Sequence, residues 1–343
     1  MNRLKLLITV VLALFFIAVV FPFLKQSYIG SIHTGALVAV EIPPNTHADA
    51  IPNLLASKGV IASTRGFRWY EFFDREAQTP KAGLYHLQAG MSYHAIVHQL
   101  FLGPARTEVQ MTIIEGWTVD QETDNLVQTQ GIKQTEIVNS IGRSADAAPF
   151  DLRWRAKYSF LQNLPARRSL EGYLFPDTYR VWQDELPNGL VTKQLNEFET
   201  RYGTASVANG SVAPLKNLDE VIILASIVEK EVRTPDDRRH VAGIFLNRLK
   251  KGMALQSDAT LTYALGSGAR ATAADLTSDS PYNTYKRRGL PPSPISNPSA
   301  SSIDAALNPL KTNDLYFLTD KSGTVLYAAT LEEHTKNRQK AGY

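Results

Sequence analysis

The sequence predicts an α+β protein standing behind a membrane-spanning helix, and three observations carry that reading. An uncharged apolar run fills residues 6–24. A strand, a tight turn, a Ser or Thr cap and a helix then recur in loose succession between residues 38 and 131. From 188 to 265 the apolar residues fall at helical spacing, and a hairpin pattern follows at 315–328.

The apolar run, Leu6–Leu24, has about the ~20 residues needed to cross a bilayer. Arg3 and Lys5 precede it and Lys25 follows, so the positive-inside bias places the N-terminus in the cytoplasm. A cleaved signal peptide is the competing reading, but no small-x-small cleavage pattern follows the run. An uncleaved single-pass anchor in the cytoplasmic membrane is expected, with the rest of the chain outside the cytoplasm. The full 343 residues leave room for two domains beyond it. A net charge of +3 without a long basic block gives nucleic-acid binding little support. There is no cysteine, hence no disulfide framework and no thiolate metal site. His334 has no second histidine at metal spacing, and neither metal nor cofactor is expected.

Each recurring unit has its own signals. Val38–Ile42 is a strand followed by Pro43-Pro44-Asn45, with Thr46 and Asp49 offered as a capping box for Ala50–Lys58. Gly83–Leu87 leads through Ala89-Gly90 to a helix capped by Ser92. Val109–Ile114 leads through Glu115-Gly116 to a helix capped by Thr118 and Gln121 and closed by Gly131. Between the first two units, Thr64–Arg75 is a helix whose aromatic face is read as core. The stretches IPPNTHADAIPNLLASKGVI and AGLYHLQAGMSYHAIVHQLFLG resemble a LysM-like module.

Farther on, the spacing predicts helices over Asn188–Tyr202, Asn217–Val232 and Asp236–Leu249. Arg238, Arg239 and Arg248 of the last are expected at solvent or paired with acids. In Asn217–Val232, Asn217 caps the helix and Val221, Ile222, Leu224, Ala225, Val228 and Val232 form one stripe. At ~100° per residue Glu229 stands about 60° from that stripe and Glu231 about 100°. Glu229 is thus the carboxyl expected at the edge of the buried face, where burial would hold its proton for general-acid work. Its alternative is a rim residue paired with an Arg or Lys.

Two loops complete the reading. SLEGYLFPDTYR at 169–180 offers Glu171 and Tyr173 to a sugar-binding groove, or is a packed loop. SPYNTYKRRGLPPSPISNP at 280–298 is proline-dense yet rich in polar and aromatic side chains, as a preorganised site requires. Gln256, Ser257, Asp258 and Thr260 fall close together, and Asp258 is either a ligand or the cap of the helix that follows. Serine-hydrolase, zinc-protease and P-loop signatures are missing, and a buried-edge carboxyl among polar and aromatic loops suits glycoside cleavage.

Four ordered motifs, EGYLFPDTY at 171–179, ASIVEKE at 225–231, FLNRLKKGMALQSDATLTYALG at 245–266 and the 280–298 loop, resemble the MltG/YceG-like family. The resemblance implies an endolytic peptidoglycan lytic transglycosylase that gives 1,6-anhydro ends, works near the cell-wall synthases and ends nascent strands. It implies an anchor over residues 1–27, a LysM-like module over 28–108 and a catalytic domain over 109–343. It maps the catalytic carboxyl onto Glu229. Gln256, Asp258, Tyr282, Asn283 and Asn297 are the candidates for positioning groups, with Thr260 beside them and Glu171 and Tyr173 in the groove. The sequence departs from the family pattern at Ser293 and Ser299, where glycines are usual, at Ala259, and at Gly323–Tyr327, which lacks a histidine. A non-catalytic glycan-binding scaffold and a two-carboxylate muramidase are the competing functions.

Overall fold

The computed structural model describes residues 3–30, 35–74, 80–204, 212–266, 272 and 274–342. They form a mixed α+β chain of two compact units, Met1–Arg106 and Thr107–Tyr343. Residues 203–214, small and polar as a surface linker would be, lie largely outside the described residues.

The first unit begins with one long apolar helix, Lys5–Tyr28, with a mean hydropathy of 3.0 and its apolar side chains exposed. Strands β1 (Leu37–Ile42) and β2 (Gly83–Gln88) then pair antiparallel, with Val40 opposite Tyr85 and Val38 opposite Leu87. Because side chains alternate across a strand, Val40, Ile42, Tyr85 and Leu87 share the buried face. Ile51, Leu55, Phe67, Ile96 and Leu100 from three short helices pack against it. Ser92 caps its helix as expected, accepting from the Ala95 amide. The Thr46 capping box does not form. Thr46 turns its hydroxyl back to the Pro43 carbonyl, and a 3-10 turn at Ala48–Ala50 leads into the helix Ile51–Ser57. The aromatic face of the helix Thr64–Phe73 is also corrected: Phe67 and Tyr70 are core, but Trp69, Phe72 and Phe73 are exposed.

The second unit is built around the helix Leu218–Glu231. Asn217 caps it through the Glu220 amide, and all eight residues Val221–Val228 are buried. The helices Pro235–Lys250 and Ala300–Leu307 pack against it. Gly243 admits a close approach there, since a Cβ would lie 2.2 Å from the Leu310 carbonyl oxygen. Strands β3 (Glu108–Thr112) and β4 (Thr178–Trp182) form a second antiparallel pair, with Val109 opposite Val181 and Met111 opposite Tyr179. The expected hairpin is present as β5 (Tyr316–Thr319) and β6 (Val325–Ala328). Full capping boxes form at Thr118–Gln121 and Thr330–Glu333. Arg248 is buried rather than at solvent, donating to the carbonyls of Leu315 and Leu255.

Candidate active site

The central helix presents two carboxyls at its C-terminal turn, and the structure gives them different surroundings. Glu229 is closed in. Arg238 Nη2 lies 2.9 Å from its Oε1, and the Ser299 amide and hydroxyl donate to its Oε2 at 2.9 and 2.6 Å. Arg238 also donates to the Ser299 hydroxyl, so the three side chains form a closed triangle. The Glu229 side chain is 6% exposed and lines no described cleft. The expectation of an open acid at the edge therefore gives way to its alternative, a carboxylate paired with an arginine. An edge position presumes one covered face, and the turns Val221–Val228 before Glu229 are buried on every side.

Glu231, the last residue of the helix, borders both described clefts. It accepts a hydrogen bond from the Ser257 hydroxyl. Burial, with the Asp258 charge adding to it, outweighs that bond and the Arg248 charge and raises its pKa to about 7. Two clefts meet at it. One, of about 400 Å³, is lined by Thr118, Gln121, Ser144, Lys230, Tyr263 and Ile295. The other, of about 510 Å³, is lined by Arg248, Gln256, Tyr285, Tyr316, His334 and Arg338. Glu231 and Asp258 line both. Asp258 is the first residue of the helix Asp258–Leu265, and its carboxylate accepts from the Tyr285 hydroxyl at 2.6 Å.

The other expected site residues divide into lining and support. Gln256 and Asp258 face the clefts, Gln256 from a left-handed backbone at φ 54°. Tyr173, Thr260, Tyr282, Asn283 and Asn297 are buried. Tyr173 donates to Asp219 at 2.8 Å and stacks on Phe160. Thr260 donates to the Ser257 carbonyl at 2.8 Å. Tyr282 is bonded to Ser293. Asn283 donates to the Leu276 and Ser278 carbonyls and accepts from the Tyr285 and Lys286 amides. Asn297 accepts from the Gly172 and Leu174 amides at 2.7 and 3.2 Å. These five side chains fix the 169–180 and 280–298 loops that frame the clefts and do not line either.

Comparison with known sequences fixes the family. A model of the YceG-like family matches residues 40–340. The chain belongs to the YceG-like family. It is 33% identical over 314 residues to the "Endolytic murein transglycosylase" of Bacillus subtilis (strain 168), covering 88% of this chain and 84% of that protein. It is 33% identical over 323 residues to the protein of the same name from Streptococcus pneumoniae serotype 2, covering 88% of this chain but 57% of that longer protein. It also resembles the crystal structure of a YceG-like protein from Listeria monocytogenes, with a TM-score of 0.57 and 33% identity over 88% of this chain and 99% of that one.

Where this YceG-like chain departs from the family pattern, the backbone accommodates the change. Ser299 sits at φ −66° as the cap of the helix Ala300–Leu307, and Ser293 is not among the positive-φ residues, so neither serine is strained. Beneath the first cleft lies Glu171, fully buried, accepting from the Val119 amide at 3.1 Å, the Ser144 hydroxyl at 3.1 Å and the Tyr263 hydroxyl at 3.0 Å. Burial overrides those donors and lifts its pKa to about 8. Sequence reading missed Ser144 and Tyr263, which join Glu171 only in three dimensions. It placed Lys230 opposite the apolar stripe without seeing that this side borders a cleft. Desolvation pulls the Lys230 ammonium below the usual lysine range.

A stability prediction follows from the buried carboxyls. Glu122 and Glu231 are raised to about 7 and Glu171 to about 8, from an ordinary 4.5. Between those limits the folded chain binds more protons than the unfolded chain, so stability is fullest below about pH 4.5 and is lost as pH rises through 7 to 8 for these three groups. Thermal melts are expected to show the midpoint falling across that window. Glu122→Gln, whose native carboxyl accepts from Gln194 Nε2 at 3.1 Å, should flatten part of the fall.

Proposed function

We propose that the chain is a membrane-anchored, endolytic lytic transglycosylase of peptidoglycan, with Glu231 as its proton carrier. It is a lyase that cleaves the β-1,4 bond from N-acetylmuramic acid to N-acetylglucosamine. The observation that carries this reading is the place of the Glu231 carboxyl where two clefts meet, in surroundings whose burial favours its protonated form. The printed names of the relatives support the reaction class.

A glycan strand laid through both clefts has sugars on either side of Glu231, so the bond reached is internal. Protonated Glu231 gives its proton to the glycosidic oxygen as the bond from C1 of the muramoyl residue breaks. Positive charge develops on that ring, and the Asp258 carboxylate, oriented by Tyr285, stands beside it. The C6 hydroxyl of the same sugar then closes on C1 and passes its proton to the Glu231 carboxylate. One C–O bond breaks and one forms, no water is consumed, and Glu231 finishes protonated as it began. A hydrolase needs a second group to activate water or attack the sugar; here the substrate supplies the nucleophile.

The proton must be on Glu231 at the start, so kcat/KM is expected to fall about tenfold per pH unit above about 7. The reading itself is tested by digesting purified glycan strands and weighing the new ends. Anhydromuramoyl ends on long internal fragments support it. Reducing ends, heavier by one water, indicate a muramidase, and disaccharides released from chain termini indicate an exo-acting enzyme.

In the same reading Lys5–Tyr28 anchors the chain in the cytoplasmic membrane with its N-terminus inside, residues 28–108 form a LysM-like module and 109–343 the catalytic domain. The apolar helix and the strand–turn–helix units support this. Cleavage close to the membrane would end nascent strands near the synthases, and the family resemblance is the support for that step.

A further inference from the structure

The aromatic face that the helix Thr64–Phe73 leaves uncovered has no part in the chemistry above. Trp69, Phe72 and Phe73 are 65%, 79% and 71% exposed. They touch one another: Trp69 and Phe73 have ring centroids 6.1 Å apart, and Phe72 meets Phe73 edge-on at 5.1 Å. Arg65 and Arg68, one turn earlier on the same helix, are exposed as well. Clustered exposed aromatics on a soluble surface mark a site of contact with something apolar. Tryptophan and phenylalanine beside arginine are what helices lying in a bilayer interface present.

The attachment of the apolar helix says what that contact is. The last turns of Lys5–Tyr28 are folded into the first unit. Phe23 packs against the core that holds Phe67 and Tyr70, and Ser27 is fully buried. Gln26 Nε2 donates to the Met91 carbonyl at 3.1 Å. Gly30 lies so close to the Gly90–Ser92 turn, at φ +76°, that a Cβ would sit 2.7 Å from the Gly90 oxygen. Tyr28 meets Tyr70 of the aromatic helix edge-on at 6.0 Å. Phe73 is three residues past Tyr70 and Trp69 is adjacent to it, so the exposed stripe begins within about 60° of the side facing Tyr28. A bilayer that takes the preceding exposed apolar residues ends against this unit, and the helix beside its exit carries the aromatic stripe.

We propose that the Arg65–Phe73 face lies in the interfacial layer of the same bilayer leaflet, with Trp69, Phe72 and Phe73 among the lipid headgroups and upper chains and Arg65 and Arg68 toward the phosphates. This rests on the reading of Lys5–Tyr28 as an uncleaved anchor. The module is thereby held flat on the membrane by a second contact, not swung from a single helix.

The chain has no cysteine, so Phe72→Cys places one environment-sensitive fluorophore on the exposed stripe of the full-length protein, and Leu152→Cys, at a residue 66% exposed, provides a reference. Both are reconstituted into phosphatidylcholine–phosphatidylglycerol liposomes with or without shallow-brominated lipid. The label at 72 is expected to be quenched at least about twofold more by bromolipid than the reference, and to be correspondingly shielded from aqueous iodide. Flotation with the liposomes separates the two ways of failing. Protein that floats while its label at 72 stays open to iodide and untouched by bromolipid overturns the interfacial face alone, leaving that face to a protein partner. Protein that does not float overturns the anchor reading and this inference with it.

Discussion

Glu231→Gln is expected to abolish anhydromuramoyl product, lowering kcat by about 10²–10⁴ with little change in KM. The amide keeps the shape of the side chain and can still accept from Ser257, but it has no proton to give to a leaving oxygen. The same change should leave the fold intact or firmer. At pH 8 the native carboxyl is ionised in a buried place, a cost of up to about 3 kcal/mol that the amide removes. Lost activity with undiminished melting temperature is the signature of a catalytic carboxyl and not a structural one. Assay and melt on one preparation check it. Full activity in Glu231→Gln would move the acid elsewhere, and a wild-type chain that yields no anhydromuramoyl product would be a glycan-binding scaffold.

Breaking the neighbouring triangle should give the opposite pattern. Arg238→Ala leaves Glu229 buried without its ion-pair partner, and removing one member of such a pair costs about 3–5 kcal/mol. Glu229→Gln is milder, at about 1–3 kcal/mol, because Ser299 can still donate to the amide oxygen. Below its own melting temperature Glu229→Gln should retain anhydro-product formation to within about tenfold, since its atoms line neither cleft. Denaturant unfolding and end analysis on matched samples read the two effects separately. If Glu229→Gln is inert while fully folded and Glu231→Gln is active, the roles assigned to the two carboxyls are reversed.

The contrast between these two residues shows what the sequence could and could not disclose. Local chemistry was legible. Asn217, Ser92 and Thr118 cap the helices expected of them, because a cap needs only a side chain and an amide two or three residues on. The helix Asn188–Tyr202 and the hairpin near the C-terminus also stand where spacing placed them. Thr46 does not cap, because its hydroxyl turns back to donate to the Pro43 carbonyl and not forward to accept from a helix amide. The different surroundings of Glu229 and Glu231 were not legible, since they depend on which tertiary neighbours cover each side of the helix. Arg238, nine residues on, and Ser299, seventy residues on, close over one, while Ser257 and an open cleft face the other. Tyr173, Asn283 and Asn297 were read as sugar contacts because polar and aromatic groups in proline-rich loops serve either purpose. In the fold their hydrogen bonds go to Asp219 and to the loop backbones. Tyr263 and Ser144 carried no local signal, being ordinary residues until the fold brings both to Glu171.

In the proposed reaction one carboxyl moves one proton out and takes another back while the sugar closes on itself. Digestion of glycan strands by the wild-type chain in water labelled with heavy oxygen tests it most directly. New ends that carry no label and weigh one water less than a reducing end are expected. Reducing ends bearing the heavy oxygen would show that water, not the C6 hydroxyl, attacks, and would contradict it.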